Sequence, residues 1–185
     1  RSGRVARRLG AEVVPTPEDL VKSCRVLVLA VPDDALEPVA QRLASALRAT
    51  GTAAPVALHL AGARPAEAIA ALREAGASIG GFHPVVSLQG PESAAVLAGS
   101  FATISGDRQA TATARRLART LAMRPLAVED ARRPLLHLAA VLAAGDLVAL
   151  LEEARGLLDR AGVGQDDARE LLATLARGAV EAFAQ

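Results

Sequence analysis

Three histidines are the residues of this chain best suited to acid–base chemistry. His59 falls inside an apolar run, His83 follows a short apolar run and precedes Pro84, and His137 lies early in a long apolar segment. Imidazole exchanges a proton near neutral pH, so it can serve the proton transfer that accompanies hydride transfer at a carbon bearing oxygen or nitrogen. We interpret His83 and His137 as candidate catalytic residues, with a turn or core histidine as the alternative for each. His59 is assigned to the core.

Composition disfavours several other chemistries. The one lysine, Lys22, falls on a predicted surface helix, which leaves no Schiff-base lysine for a cleft. The one cysteine, Cys24, excludes an internal disulfide and a thiolate zinc cage and suits a reducing, cytoplasmic setting. The three histidines lack i, i+4 spacing, so no metal site is predicted.

A net charge of +1 and 2% aromatic residues argue against a nucleic-acid partner. Charges and glycines interrupt the richest apolar stretch, so no membrane partner is predicted.

Apolar runs rich in branched residues alternate with helical patterns through the first two thirds of the chain. Continuous runs such as 24–31 are typical of strands buried on both faces of a parallel sheet. The predicted strands are 11–14 (an edge strand), 24–31, 56–60, 77–82, 101–104 and 125–128. This alternation predicts an α/β fold with a doubly wound, mostly parallel, Rossmann-like sheet.

From residue 129 the pattern predicts helices only, so we expect a partial nucleotide-binding domain over 1–128 and the start of an all-α domain over 129–185. Residues 135–151 are apolar on nearly every side, which is typical of a helix buried all round. Such a helix needs a partner surface, and we expect a homodimer, additional helices, or both. Because the chain begins at Arg1 and stops inside a helical pattern, we expect it to be a fragment of a longer protein.

Two strand ends are predicted to line a dinucleotide cofactor. Ligands of doubly wound sheets bind outside the carboxyl ends of the strands. The candidate cofactor-binding residues are Val31, Pro32 and Asp33 after one strand, and Ala61 and Gly62 after the next. Asp33 is also a candidate helix cap, and the missing side chain at Gly62 would allow close approach of a nicotinamide ring. The alternative is a plain strand end.

A basic terminus offers a further cofactor contact. Arg1, Ser2 and Arg4 are predicted to bind the 2′-phosphate of NADP, with NAD possible and a frayed terminus as the alternative. The glycine pair Gly162 and Gly164 follows a helix, whereas a pyrophosphate loop follows a strand. We therefore interpret it as a helix–helix turn.

Four motifs occur in an order that matches a known family. They are Leu29-Ala-Val-Pro-Asp-Asp-Ala-Leu36, His59-Leu-Ala-Gly-Ala63, Gly81-Phe-His-Pro-Val-Val-Ser-Leu-Gln-Gly-Pro-Glu92 and His137-Leu-Ala-Ala-Val-Leu-Ala-Ala144. Together they resemble a family of Rossmann-like NAD(P)-binding oxidoreductases with a C-terminal helical domain of unknown function. That family is similar to pyrroline-5-carboxylate reductase, prephenate dehydrogenase and 6-phosphogluconate dehydrogenase.

The resemblance implies a longer parent protein, with a glycine-rich turn upstream and more helices downstream. It also implies roles for two histidines: prephenate dehydrogenase has a His-Pro pair like His83–Pro84, and relatives carry a histidine where His137 stands. The chain departs from the pattern at Ala61, where relatives have Ser, and at Gly145, where they often have Asn. A Lys and a Tyr often found before His137 are also missing.

These observations predict an NADP-dependent oxidoreductase that acts on a small carbonyl, imine or hydroxy-acid substrate. The substrate would bind between the carboxyl edge of the sheet and the helix that carries His137. One alternative is a non-catalytic nucleotide-binding or scaffold protein that retains the fold. Another is a dimerisation module built on the apolar helix.

Overall fold

A five-stranded sheet forms the centre of the protein. The computed structural model describes residues 6–7, 10–51, 53–87 and 95–185. The strands lie in the order β1–β2–β3–β4–β5. They are β1 (Val26–Leu29), β2 (Val56–His59), β3 (Ser78–Val85), β4 (Phe101–Gly106) and β5 (Arg124–Ala127).

The first three strands are parallel, and Leu29, His59 and Gly81 lie in one row across them. Strand β4 runs antiparallel to β3, and β5 runs parallel to β4. The predicted α/β, mostly parallel, Rossmann-like sheet is thus confirmed, with one antiparallel pair. Because β1 and β2 end in the same row, the segments that follow them emerge side by side beside the longer strand β3.

Helices cover both faces of the sheet. They are α1 (Pro17–Leu20), α2 (Leu36–Thr50), α3 (Ala70–Glu74) and α4 (Arg108–Thr120), with 3₁₀ turns at Asp33–Ala35 and Ala66–Ile69. On one face, Leu43 and Leu47 of α2 pack in a core that includes Leu29. On the other, Ala114 of α4 packs in a core that includes Phe82. Burial of apolar area on both faces is the main stabilising contribution of this layered arrangement.

Two predicted strand features are wrong. Residues 11–14 form no strand, and β1 pairs with β2 alone. On β1, Leu27 and Leu29 are buried but Val26 and Val28 are 42% and 44% exposed. The prediction of burial on both faces fails here because α4 packs on β2, β3 and β4 and leaves this face of β1 uncovered in the described residues.

The chain is helical from residue 130 onward. A 3₁₀ turn (Asp130–Arg132) leads into α5 (Arg133–Val141), a π-helical turn (Leu142–Asp146) and α6 (Leu147–Arg160), and α7 (Gln165–Phe183) packs against α6. The chain divides into two compact units, Arg1–His137 and Leu138–Gln185. The domain boundary at residue 128 stays a prediction.

The helix predicted to be buried all round is exposed in the single chain. Leu135 and Leu150 are 69% and 68% exposed. The prediction depends on a covering surface, which one copy of the chain does not supply among the described residues. By length and composition alone, the stretch Asp130–Arg160 is apolar enough to cross a membrane, a test that core helices also pass. The interrupting charges and glycines therefore do not exclude a membrane span.

Candidate active site

The ends of β1 and β2 bring together the residues predicted to contact a cofactor. Because the two strands are parallel and in register, Val31, Pro32 and Asp33 lie beside Ala61 and Gly62. Pro32 and Asp33 are exposed, whereas Ala61 and Gly62 are buried. Asp33 does not occupy a capping position, since Pro32 precedes the 3₁₀ turn and Ala35 precedes α2, so its predicted capping role is wrong.

His83 is held in one orientation by the backbone next to this edge. Its Nδ1 lies 2.8 Å from the carbonyl oxygen of Leu60, which can only accept a hydrogen bond. In the neutral ring Nδ1 therefore carries the hydrogen and Nε2 carries the lone pair. Nε2 has no hydrogen-bond partner in the part of the chain that the structure describes. This nitrogen is free to accept a proton from a substrate.

Burial favours the neutral form of His83. Loss of hydration lowers the pKa of the imidazole below 6.5, and the nearby charges of Arg133 and His137 lower it further. The hydrogen bond to Leu60 and the Asp33 carboxylate act in the opposite direction. Since burial dominates, the neutral form of the His83 ring prevails at pH 7, and this is the form that can accept a proton.

His137 meets His83 across a glycine. The two ring centroids are 5.9 Å apart in an edge-to-face arrangement. A Cβ on Gly62 would lie 2.6 Å from Nδ1 of His137 and 2.8 Å from Nε2 of His83. Gly62 was predicted to admit a nicotinamide ring, but the space a side chain would fill there holds the two imidazoles. Among the described residues, Nδ1 of His137 is buried without a hydrogen-bond partner, as is Nδ1 of His59.

His59 belongs to the core, as its sequence context indicates. Its side chain is fully buried, and Nε2 donates to the carbonyl oxygen of Pro65 over 3.1 Å. Burial and the neighbouring charge of Arg133 lower its pKa to about 4. A ring this far from solvent can help to shape the site but cannot exchange protons readily with a ligand.

Sequence reasoning missed one residue of this site, Arg133. Its side chain is 1% exposed, and its guanidinium donates to the carbonyl oxygens of Ala61 (2.6 Å) and Arg64 (2.7 Å) and to Oγ of Ser105 (3.2 Å). The sequence held one signal: Arg133 stands four residues before His137, and therefore on the same face of a helix. Its burial could not be read from that spacing.

Arg1, Ser2 and Arg4, the candidate 2′-phosphate contacts, lie outside the described residues. Within the described ranges, no three histidine, cysteine, aspartate or glutamate side chains are arranged to hold a metal ion.

Comparison with known proteins gives a family for the C-terminal half and a fold for the whole. Residues 100–185 match the family described as Domain of unknown function (DUF2520). A comparison with curated proteins gives no match.

Solved structures resemble nearly the whole chain. Protein TM1727 from Thermotoga maritima is 20% identical, with a TM-score of 0.70 over 97% of this chain and 65% of that one. An imine reductase of Streptomyces aurantiacus is 18% identical, with a TM-score of 0.73 over 99% and 65%. Plasmodium falciparum pyrroline carboxylate reductase, with NADP bound, is 12% identical, with a TM-score of 0.67 over 92% and 62%.

The chain spans about two thirds of the length of these proteins, or slightly less. The resemblance inferred from the four motifs is confirmed at the level of the fold. The chain shares a Rossmann-like fold with these solved structures, and its residues 100–185 match the family described as Domain of unknown function (DUF2520).

Proposed function

We propose that this chain is the central part of an NADP-dependent oxidoreductase that acts on a small carbonyl, imine or hydroxy-acid substrate. The observation that carries the proposal is the state of His83. Its tautomer is fixed by Leu60, its ring is kept neutral by burial, and its Nε2 has no hydrogen-bond partner among the described residues beside the carboxyl edge of two parallel strands. The matched solved structures include an imine reductase and a pyrroline carboxylate reductase, which supports this reaction class.

The described residues fit the nicotinamide half of a dinucleotide. Pro32 and Asp33 are exposed at the end of β1, next to Ala61 and Gly62 at the end of β2. Nδ1 of His137 has no hydrogen-bond partner among the described residues, and a ligand bound at this edge would supply one. Val31, Pro32 and Asp33 would hold the cofactor, which supplies or accepts a hydride when bound. Ala61 and Gly62 would contribute only backbone next to it, because the space over Gly62 holds the two imidazoles. NADP is preferred over NAD, with Arg1, Ser2 and Arg4 as the proposed 2′-phosphate contacts.

His83 would handle the proton of this reaction. With Nδ1 bonded to Leu60, Nε2 can take the proton of a hydroxyl or amine as its carbon is oxidised, and return it in the reverse direction. The Leu60 carbonyl stabilises the protonated ring that forms, because Nδ1 keeps its hydrogen bond in both states. The buried surroundings limit access of water to this nitrogen.

Cofactor binding is the first test, and it does not require a known substrate. Thermal unfolding of the full-length protein is measured with NADPH, NADH and ADP at equal concentrations. Binding to the native state raises Tm by mass action, and we expect NADPH to raise it most. Equal or absent shifts with all three nucleotides would contradict the proposal and favour a non-catalytic scaffold that retains the fold.

We also propose that the protein is a soluble, cytoplasmic homodimer assembled through its helical part. The apolar side chains left uncovered on α6 and α7 favour this, and they include Val148, Leu150, Leu157, Leu171, Leu175, Val180 and Phe183. A surface of this kind is typical of an interaction site. Sedimentation equilibrium in aqueous buffer would show a dimer, whereas recovery only from detergent-extracted membranes would overturn this assignment.

A further inference from the structure

Arg133 is a buried cation, and its hydrogen-bond partners in the described ranges are all neutral. Its guanidinium contacts two backbone carbonyls and one hydroxyl, and its side chain is 1% exposed. Burial lowers its pKa, and the charge of Asp130 offsets part of that effect. A buried charge without a direct ion pair is costly, and an apolar side chain of similar volume would fill the same space at lower cost. The guanidinium therefore needs an explanation beyond packing.

The three hydrogen bonds join separate parts of the site. Ala61 and Arg64 belong to the segment that follows β2, which also contains Gly62, and Ser105 lies in β4. Arg133 itself is the first residue of α5. One rigid, planar group thus connects the strand end, the sheet and the helix, which a single ammonium group could not do with the same geometry.

The backbone leaves room for this group over Gly81. A Cβ on Gly81 would lie 2.9 Å from Nη1 of Arg133, closer than real side chains approach. Gly62 similarly leaves room for His83 and His137. Two glycines in neighbouring segments therefore accommodate the arginine and the histidine pair.

Helical geometry links Arg133 to His137. Residues four apart lie on one face of a helix, about one turn from each other. Anchoring the guanidinium at the start of α5 therefore fixes where His137 meets Gly62 and His83. We propose that Arg133 is a positioning residue, which locks α5 to the β2 segment and so sets the His83–His137 arrangement.

Arg133 also influences the charge of the pair. The charged groups that act on His83 are Arg133, His137 and Asp33, and only Asp33 favours protonation. A residue that only anchored α5 would not need the positive charge of Arg133. The inference rests on the proposed function for what the histidines do, but the geometry can be tested without turnover.

The test compares the variants Arg133→Lys and Arg133→Met with a control variant, Arg132→Met. Arg132 is next to Arg133 in the chain, and its side chain is exposed. Imidazole resonances of the three histidines are followed by NMR through a pH titration. In both Arg133 variants we expect loss of the nuclear Overhauser contact between the His83 and His137 rings. In Arg133→Met the titration midpoint of His83 also rises, because a nearby positive charge is gone. Arg132→Met leaves both readouts unchanged.

Two outcomes would overturn the inference: folded Arg133 variants that retain the ring contact, or an Arg132→Met control that loses it. If neither Arg133 variant folds, Ser105→Ala removes one of the three contacts and must still shift the His137 ring signals; unchanged signals would refute the positioning role. In an active preparation, Arg133→Lys should lower kcat by about 100-fold with little change in KM. Loss of the ring contact in a protein that binds no cofactor would leave the positioning role standing and reject the proposed function alone.

Discussion

Nδ1 of His83 donates a hydrogen bond to the carbonyl oxygen of Leu60, 2.8 Å away, so the strand end after β2 determines which nitrogen of His83 can react. Leu60 is adjacent to Ala61, whose carbonyl oxygen accepts a hydrogen bond from Arg133. Consecutive backbone carbonyls therefore orient the proposed base and the residue proposed to position its partner.

Removal of the His83 imidazole should lower turnover without unfolding the protein. A positioned general base contributes about 100- to 10,000-fold to rate, so kcat/KM of His83→Ala should fall within that range. The measurement is NADPH formation or consumption with the best substrate found by screening. Circular dichroism checks the fold, and Arg132→Met serves as the control. A His83→Ala enzyme with an unchanged rate would remove His83 from the mechanism.

The pH dependence of activity should follow the lowered pKa of His83. Because the neutral ring persists below pH 6.5, oxidation should continue at neutral pH and decline only as the pH falls through that lower pKa. Reduction needs the protonated ring and should increase over the same interval. Profiles of kcat/KM in both directions test this. A midpoint for oxidation above 6.5 would contradict the assignment.

Stability should depend on pH through His59. Its pKa is about 4 in the folded protein and about 6.5 in an unfolded chain, so the unfolded state binds more protons between these values. The free energy of unfolding is therefore greatest above pH 6.5 and falls as the pH decreases toward 4, by about 3 kcal/mol in all. Urea unfolding at several pH values measures the slope. In His59→Asn the slope over this interval should be shallower, and an equal slope would contradict this account.

Gly62→Ala should disturb the histidine pair. The added methyl group would lie within 2.8 Å of both rings, and overpacking of this kind costs about 1–3 kcal/mol. We expect a lower Tm and displaced His83 and His137 resonances. The matched control is Gly156→Ala, because that glycine lies in α6 with open space at its Cβ position. The control should gain about 0.5–1 kcal/mol from helix propensity. Equal stability of the two variants would refute the close packing at Gly62.

A charge on the uncovered helical surface should separate the proposed dimer. Leu150 is 68% exposed in the single chain, so Leu150→Glu should fold normally as a monomer. If this position is buried between two copies, an unpaired carboxylate there weakens association because it loses hydration. Sedimentation equilibrium measures the dissociation constant, with Arg169→Glu as an exposed control. A dimer of unchanged affinity would place the interface elsewhere.

Much of the sheet could be predicted because each strand has a recognisable pattern of residues along a short stretch of the chain. The runs that contain Val56–His59 and Phe101–Gly106 are apolar, branched and bounded by turns, and both form strands where predicted. The placement of Val31–Asp33 beside Ala61 and Gly62 also follows from sequence, because successive parallel strands present their carboxyl ends at one edge. The exposure of Val28 does not follow from the sequence, because the burial of a strand face depends on which helix packs there.

The order of strands and helices, the strand-end segments and the choice of His83 as a candidate base came from the sequence, because hydrophobic periodicity and residue type act over short distances along the chain. Three-dimensional packing alone decided that His83 meets His137 across Gly62, and that Arg133 is buried over Gly81 with its hydrogen bonds on two other segments. These contacts join residues as many as 75 positions apart, counted from Gly62 to His137 as 137 − 62. Their geometry depends on how whole elements pack, which no local pattern of residues records.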